Sequence, residues 1–457
     1  MANLGSRWRS SPIFILTSVA VGMISNMFLY GFMVPILPYI LEERVKINPS
    51  NTSTVTILLL AQNALISTVC TPTIGLIHHL VPSKRVFLIV SLLITLLSSG
   101  CMAASRSVYG IMVGRFLQAL ADSCMKSTGF STVAEHSTTF PPGSLMRLLN
   151  MAVSTGTSAG PMMSGLLLQK YGYWTAWSSV FLLLFIDLVF RLLVDGKSAY
   201  YNGPTAADVK TEEVKSDDEE TPLLAAPSVQ SVPDTASRYQ CYLILRQRPF
   251  LAVLVHHALI AILLASFDAA LPLHVRQTFA WGSAATGLLF SALQTPSIFL
   301  TPLFDWLGEK KRKKSEAAPS PTLLGFLLLA PCFALLGLPG HPAFPSLGSE
   351  TLLGQALYIV SVVLVGVLIS SLAGTAAAQT TSTVKTMEGM LGKTATAHAL
   401  SMVAMSSSLG MVLGPIVSGI LMEKLGYLAM NCFWVFLIII TIMIRIIYSY
   451  YNDYILI

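Results

Sequence analysis

The chain has 457 residues, of which 54% are hydrophobic and only 11% are charged, and its formal net charge is +6. Soluble domains carry roughly 25% charged residues, so a chain this apolar could not hide its side chains in a water-soluble interior. The composition argues against a soluble enzyme or a nucleic-acid-binding domain and indicates a protein that is solvated largely by lipid.

Apolar segments follow one another along the chain, and a membrane-crossing helix needs about twenty such residues. We predict spans near residues 13–40, 54–77, 86–105, 108–133, 146–169, 173–194, 250–273, 283–305, 321–338, 353–378, 397–422 and 427–448. The first segment is too long for a signal-peptide core and lacks a cleavage pattern, so we expect it to be retained. The predicted fold class is an all-α membrane protein of two six-helix bundles, residues 1–195 and 249–457, joined by a linker at 196–248.

Lysine and arginine in the short loops predict the orientation in the membrane, because cytoplasmic loops are enriched in both. Basic residues concentrate on one side, most densely in the run from Lys310 to Lys314, so we expect both termini in the cytoplasm. The sequon Asn51-Thr52-Ser53 then falls in the first external loop, where Asn51 is expected to carry a glycan.

The linker is acidic at its centre, where residues 211–227 read TEEVKSDDEETPLLAAP. A segment with this charge and without aromatic residues is expected to be disordered in the cytosol. Glu219, Leu223 and Leu224 have the spacing of an acidic dileucine sorting signal, which would bind sorting adaptors. The sequence leaves the plasma membrane and a vacuolar or vesicular membrane open as locations. The six cysteines form no C-x-x-C pair, so neither a disulfide framework nor a metal site is expected.

One twenty-residue stretch occurs twice, as residues 154–173 and 408–427, with ten of the twenty positions identical. The shared pattern is G-x-x-x-G-P-x-x-S-G followed by K-x-G-Y, and its main members are Gly156, Gly160, Pro161 and Gly165 in the first copy and Gly410, Gly414, Pro415 and Gly419 in the second. A repeat this distant indicates two homologous halves. Glycines four apart share a helix face and let another backbone approach closely in lipid.

Twelve spans in two repeated halves, with this motif in span five, resemble the major facilitator superfamily. More narrowly, the chain resembles its twelve-span drug:proton antiporters, in the branch that includes vesicular monoamine transporters and many fungal exporters. Gly114-RFLQ resembles the span-four motif of the family, Tyr30-GFMVPILP the end of its first span, and Phe267-DAALPLHVRQTFAW the start of its second half. The resemblance implies a transporter that carries a small organic molecule and uses a proton gradient. We expect a monomer and no cofactor, although the sequence itself does not determine the oligomeric state.

The chain departs from the family pattern at three places. The loop after span two normally reads G-x-x-x-D-R-x-G; here Gly75 is kept, but His79 and Leu80 replace the charged pair. The second-half loop keeps an acid–base pair, Glu309 and Lys310, which the resemblance implies as an interhelical latch. Arg147 stands where the antiporter motif has its first glycine, and Asn26 stands where the branch often has an aspartate.

Span four carries three ionisable residues, which are costly in lipid and usually face a cavity or a partner. At about 100° per residue, Asp122 lies about −20° and Lys126 about +20° from Arg115, so the three share one face with Gln118 between them. Asp122 and Lys126 are also four residues apart, close enough to pair. We interpret the stripe as part of the substrate or proton pathway; a self-neutralising pair that only stabilises packing is the alternative for Asp122 and Lys126.

Span seven offers His257 and Asp268, which are eleven residues apart and therefore on one face. A buried carboxylate near a cation can be tuned to take up and release protons, and histidine titrates near neutrality. We place Asp268 in the proton pathway, whereas His257 has packing as its alternative. The glycine motif likewise has two readings, one a coupling element and the other a close-packing surface with a proline kink.

The sequence leaves three functions open. Proton-coupled export of a small organic molecule by alternating access is the leading hypothesis, with substrate bound between the halves. An uncoupled facilitator is the second, because Asn26 cannot take up a proton. A transporter-like sensor or scaffold that signals through the linker is the third, motivated by the altered loop at His79 and Leu80.

Overall fold

The computed structural model of the protein describes residue 9 and residues 11–77, 84–135, 142–194, 242–313, 321–391 and 393–455. Within these ranges it contains twelve long helices and no strand, which confirms the predicted all-α class. In chain order the helices are α1 (Pro12–Tyr39), α2 (Pro49–Ile77), α3 (Lys84–Ala104), α4 (Val108–Glu135), α5 (Pro142–Tyr171), α6 (Tyr173–Leu193), α7 (Arg248–Phe279), α8 (Ser283–Lys313), α9 (Pro321–Gly337), α10 (Leu352–Leu391), α11 (Lys393–Leu425) and α12 (Tyr427–Ile455).

Nine of the described helices are long and apolar enough to cross a bilayer, so the chain is a multi-pass membrane protein. Helix α9 is apolar but shorter, with 17 residues. Helices α4 and α5 fall outside the nine, and α4 carries Arg115, Asp122 and Lys126 along its length. Proline begins α1, α2, α5 and α9, where its missing N–H costs nothing and its fixed φ suits the first helical turn.

Several helices extend beyond the spans that hydropathy predicts. Helix α2 begins at Pro49 rather than near residue 54, and α10 runs 40 residues to Leu391, well past residue 378. Hydropathy detects only the apolar part of a helix, whereas backbone hydrogen bonds continue it into the polar region. Helix α1 ends differently, in a π-helical turn over Ile40–Arg44, a feature that apolar patterning does not encode.

The helices pack with a pseudo-two-fold relation between the first six and the last six. Helix α1 packs on α5 as α7 packs on α11, and α2 packs on α4 as α8 packs on α10. Contacts between the halves are made chiefly by α5 with α8 and by α2 with α11, which are again equivalent pairs. This arrangement leaves a space between the halves that both bundles line.

The K-x-G-Y end of the repeat forms the turn into the sixth helix of each half. Gly172 has φ of 87° and Gly426 has φ of 89°, and nothing lies within 4 Å of a Cβ built on either residue. Glycine is therefore required at these two positions by the positive φ, and not by a lack of space for a side chain. Tyr173 and Tyr427 then begin α6 and α12.

The helix ends define two sides of the molecule. The linker side is the end at which α6 finishes and α7 begins, and the loop side is the end at which α1 finishes. On the loop side, apolar side chains of α1 and α2, including Val34 and Leu60, belong to the same buried cluster as Phe267 and Phe290 of the second half. Apolar packing therefore joins the two halves on the loop side.

Asp187 and Arg191 are four residues apart on α6 and form an ion pair. Both side chains are buried, and Arg191 Nε and Nη2 lie 2.8 and 2.7 Å from the two carboxylate oxygens of Asp187. The guanidinium also donates to the backbone carbonyl of Leu88 and to Ser91 on α3. This bidentate pair fixes α6 against α3 near the linker side.

Candidate functional site

A cavity of about 230 Å³ lies between the two halves near the middle of the helices. It is lined by Tyr30, Thr157, His257, Ile260, Ala261, Leu264, Ala265, Asp268, Gln294, Ala373, Ala376, Ser407 and Met411. Most of these side chains are apolar, and the few polar groups converge from α1, α5, α7, α8 and α11. An apolar cavity with a few placed polar groups is the usual form of a small-molecule site.

Asp268 is the carboxylate of this cavity. Its helix α7 is apolar on either side of it, and the residue is only 7% exposed. The hydroxyl of Tyr30, on α1 of the other half, donates to Asp268 Oδ2 at 2.8 Å. A single hydrogen bond thus links the acid of the second half to the first half.

Arg115 lies on the other side of Tyr30 and is fully buried. Its guanidinium carbon is 5.8 Å from the centre of the Tyr30 ring, and Nη1 donates to Gln118 Oε1 at 3.0 Å. Arg115 Nε and Nη2 and Gln118 Nε2 have no acceptor among the described residues. Arg115, Tyr30 and Asp268 therefore form a polar group that spans the two halves.

The span-four stripe separates into two environments. Arg115 faces Tyr30, whereas Asp122 and Lys126 form an ion pair of 2.7 Å that packs against α2 through Ser67, whose hydroxyl lies 3.3 Å from Asp122 Oδ2. The pairing that the i,i+4 spacing predicts is present. Neither Asp122 nor Lys126 lines the central cavity.

Of the remaining predicted pathway residues, His257 lines the cavity and Asn26 does not. His257 Nδ1 lies 3.0 Å from the carbonyl of Val253, and Nε2 lies 3.5 Å from the hydroxyl of Thr380. Asn26 is buried within the first bundle, where its amide donates to the carbonyl of Gly22 at 2.9 Å. Asn26 therefore contributes to packing within the first bundle and does not line the cavity.

The repeated glycines make two kinds of close contact. A Cβ on Gly156 would lie 2.6 Å from the carbonyl of Ile24 on α1, and a Cβ on Gly410 would lie 2.6 Å from that of Ala258 on α7. Gly160 and Gly414 make the equivalent approaches one turn later, and Pro161 and Pro415 lie inside continuous helices.

The third glycine of each copy faces the opposite half. Gly165 meets the backbone of Ser283 and Gly287 on α8, and Gly419 meets Ile57 on α2. The motif therefore sets both the packing within each half and the contact between halves.

The predicted interhelical latch of Gly75, Glu309 and Lys310 falls partly outside the described residues and stays a prediction. The replaced loop residues 78–83 lie outside the described residues, as does the side chain of Glu309, and Lys310 lies 5.0 Å from the ring centre of Trp306. Near this loop Asp305 reaches across the halves, and its Oδ2 lies 3.4 Å from Nη1 of Arg147. Asp305 precedes Gly308 with the D-x-x-G spacing of the family loop, so that spacing could have identified it.

A second pair of charges joins the halves on the loop side. Arg276 of α7 pairs with Glu42 of the π-helical turn at 2.5 Å, and its guanidinium lies 4.7 Å from the ring centre of Tyr39. Asn51 is exposed at the start of α2, at the same end of the molecule. The sequence does not predict the loop-side pair or the hydrogen bond of Tyr30, because their partners lie in the other half.

Comparisons with known proteins agree with this architecture. The sequence profile of the Major Facilitator Superfamily matches residues 19–392. The chain is 27% identical over 371 residues to the MFS-type transporter ppzB of Metarhizium rileyi (strain RCEF 4871), covering 75% of each chain. It is 25% identical over 336 residues to the uncharacterized MFS-type transporter C18.02 of Schizosaccharomyces pombe, covering 71% of this chain and 72% of the relative. The crystal structure of the human organic anion transporter MFSD10 superposes with a TM-score of 0.60 at 16% identity, covering 95% and 99% of the two chains.

Proposed function

The chain belongs to the Major Facilitator Superfamily of membrane transporters, and from this premise we propose that it exports a small organic molecule in exchange for protons by alternating access. The observation that carries the proposal is the position of Asp268, a buried carboxylate in the cavity between the halves that accepts a hydrogen bond from Tyr30 of the other half. A titratable group in a membrane span is expensive to bury and usually functional.

The geometry supports a simple coupling scheme. When Asp268 is ionised, its oxygen accepts the Tyr30 hydroxyl and joins α7 to α1 across the cavity. When it is protonated, the carboxyl becomes a hydrogen-bond donor and no longer needs the tyrosine hydrogen. Proton uptake therefore weakens a contact between the halves, and a ligand or proton that favours one arrangement shifts the equilibrium toward it.

Arg115 gives this scheme a fixed positive charge close by. The guanidinium faces the ring of Tyr30 and keeps two nitrogens without an acceptor among the described residues. A buried cation with free donors stabilises negative charge in its surroundings. Arg115 therefore favours the ionised form of Asp268. Once a proton has been taken up and Tyr30 is released, the neutral carboxyl can instead donate to an acceptor group of the substrate.

The apolar lining indicates the kind of molecule carried. Ile260, Leu264 and Met411 offer apolar contact, and Gln294 and Ser407 add hydrogen-bonding groups at the cavity wall. Such a surface fits a compact organic molecule that is largely apolar, in line with drug or metabolite export.

A resistance screen of a deletion strain against a compound library first identifies a substrate. Substrate-driven proton flux is then measured in vesicles that contain the full chain. We expect Asp268→Asn to reduce flux to background, alone or with Asp122→Asn, whereas Glu350→Gln, an exposed carboxylate, leaves flux unchanged. Flux that persists in the double variant would refute the coupling assignment.

The uncoupled facilitator is a second candidate because Asn26 replaces a carboxylate and is engaged in packing. Under that mechanism, transport of the identified substrate would be the same with and without a pH gradient. Collapse of the gradient by an ionophore distinguishes the two mechanisms in the same vesicles.

A further inference from the structure

A polar cluster lies between α2 and α4, separate from the central cavity. Asp122 Oδ2 lies 3.3 Å from the hydroxyl of Ser67, which is 3.4 Å from that of Ser123, and Thr71 lies 3.2 Å from Ser123. Lys126 Nζ lies 2.7 Å from the same oxygen of Asp122. One carboxylate, three hydroxyl oxygens and an ammonium therefore meet within the first bundle.

The hydroxyl groups present oxygen lone pairs to this cluster. Ser123 donates its hydrogen to the carbonyl of Ala119 at 2.8 Å, and Thr71 donates to the carbonyl of Ser67 at 2.7 Å. A hydroxyl whose hydrogen is used by its own helix still has lone pairs to offer. These oxygens are therefore available to a cation.

Only one oxygen of the Asp122 carboxylate has partners among the described residues. Lys126 and Ser67 both approach Oδ2, whereas Oδ1 is buried and has no partner among the described residues. A buried charged oxygen without a donor is costly and calls for a proton or a cation. The ammonium of Lys126 thus contacts one oxygen of Asp122, and the other oxygen can still bind a cation.

We propose that Asp122, Ser67, Thr71 and Ser123 form a sodium-ion site for which the ammonium of Lys126 is a tethered competitor. Hard cations take oxygen ligands, and the charge of the ligand set helps to decide which ion binds. A single carboxylate with neutral hydroxyls supplies one negative charge, which matches a monovalent ion.

Displacement of Lys126 is feasible from its position. Its side chain is 30% exposed, so the ammonium can leave Asp122 for water while it stays protonated. Lysine is a flexible, strongly hydrated point charge, unlike a fixed guanidinium. No proton has to move, and the net charge of the first bundle rises by one when sodium binds.

The site does not depend on the proposed export activity, because binding can be measured without transport. Purified full-length protein in lipid nanodiscs is titrated with radioactive ²²Na⁺, and its thermal unfolding is followed as NaCl replaces choline chloride at constant ionic strength. We expect saturable binding and a rise in unfolding temperature with sodium that choline does not produce.

Variants separate the roles of the ligands. Asp122→Asn should abolish sodium binding, and Ser67→Ala should weaken it several-fold. Lys126→Gln should tighten sodium binding by about tenfold. While the ammonium occupies the site most of the time, the apparent affinity for sodium is reduced in proportion to the fraction of time that the site is free. Ser99→Ala is the matched control, since Ser99 is a buried serine that bonds its own helix on α3.

Lys126→Gln tests the proposal even if Asp122→Asn misfolds, because the proposal predicts that sodium binds this variant more tightly than the wild type. A cluster that serves packing alone would bind no sodium in the wild type, or would lose stability in Lys126→Gln with no gain in sodium affinity. Either outcome overturns the proposal. Asp268→Asn, which tests the transport mechanism, should leave ²²Na⁺ binding as in the wild type.

Discussion

At the scale of single residues, the central site depends on a few polar side chains in an apolar setting. Tyr30 contacts both chemically important partners, since its hydroxyl bonds Asp268 and its ring faces Arg115. The two charges are thus separated by an aromatic ring rather than paired directly. The free energy of each charge then depends on where this one side chain points.

Tyr30→Phe should therefore uncouple transport without disturbing the fold. The phenyl ring keeps the contact with Arg115, but the hydrogen bond to a charged oxygen, typically about 1.5–3 kcal/mol, is lost. We expect proton-driven accumulation of substrate to fall about tenfold or more, since about 1.4 kcal/mol corresponds to a factor of ten.

The measurement is initial uptake in vesicles under an imposed pH gradient. Tyr109→Phe, at an exposed tyrosine of α4, is the control and should behave as wild type. Normal coupling in Tyr30→Phe would show that the hydroxyl has no part in the mechanism.

At the scale of helices, the repeated glycines explain how the bundles reach their close spacing. In lipid the driving force for helix association comes from backbone approach and packing rather than from hydrophobic burial. Gly156 against Ile24 and Gly410 against Ala258 are equivalent contacts, one in each half, with the same 2.6 Å approach to a carbonyl. Equal geometry should give equal sensitivity to substitution.

Gly156→Val and Gly410→Val should each destabilise the protein by a similar amount, on the order of 1–3 kcal/mol for overpacking. A branched side chain cannot fit against a carbonyl at this distance, so α1 and α5, or α7 and α11, must separate. Thermal unfolding in a fixed detergent measures the effect.

Gly100→Val is the control, because nothing lies within 4 Å of a Cβ at Gly100. An unfolding temperature that falls equally in Gly100→Val would mean that the close backbone contact is not responsible. A large effect in only one of the two repeat positions would mean that the halves do not share this contact.

At the scale of the whole molecule, charged pairs join the halves at both ends. Glu42 and Arg276 close the loop side, where apolar side chains also meet, and Arg147 and Asp305 meet on the linker side. Alternating access requires one end to loosen as the other tightens. Breaking one pair should therefore shift the population of states in a defined direction.

Glu42→Gln should open the loop side. Ser283, which is 3% exposed at the contact between α5 and α8, serves as a reporter when it is changed to cysteine. We expect labelling of that cysteine by a membrane-impermeant maleimide to accelerate about fivefold, as loss of a partly exposed pair worth up to about 1 kcal/mol implies.

Arg147→Gln, which weakens the linker-side pair, should not accelerate this labelling. Glu43→Gln removes the adjacent exposed carboxylate and is the matched control. The charge exchange Glu42→Arg with Arg276→Glu should return labelling toward the wild-type rate. Equal acceleration in all three single variants would contradict a specific latch.

The sequence predicted most of the architecture and part of the site. Twelve helices in two related sets follow from apolar runs and from the repeat, because a single segment of about twenty residues in lipid satisfies its own backbone polar groups by forming a helix. Arg115, His257 and Asp268 stand out as ionisable residues in apolar surroundings, and the structure places each of them at or beside the central cavity. The pairing of Asp122 with Lys126 follows from helical spacing alone.

Contacts that depend on the meeting of distant segments could be decided only by the tertiary structure. Tyr30 and Asp268 are 238 residues apart, and Arg147 and Asp305 are 158 apart, so no local pattern relates them. Hydropathy and periodicity report which face of a helix is polar, but not which helix it meets or at what depth. The sequence by itself thus determined the helices and the residues able to carry charge, and the packing of the two halves decided which of those residues act together.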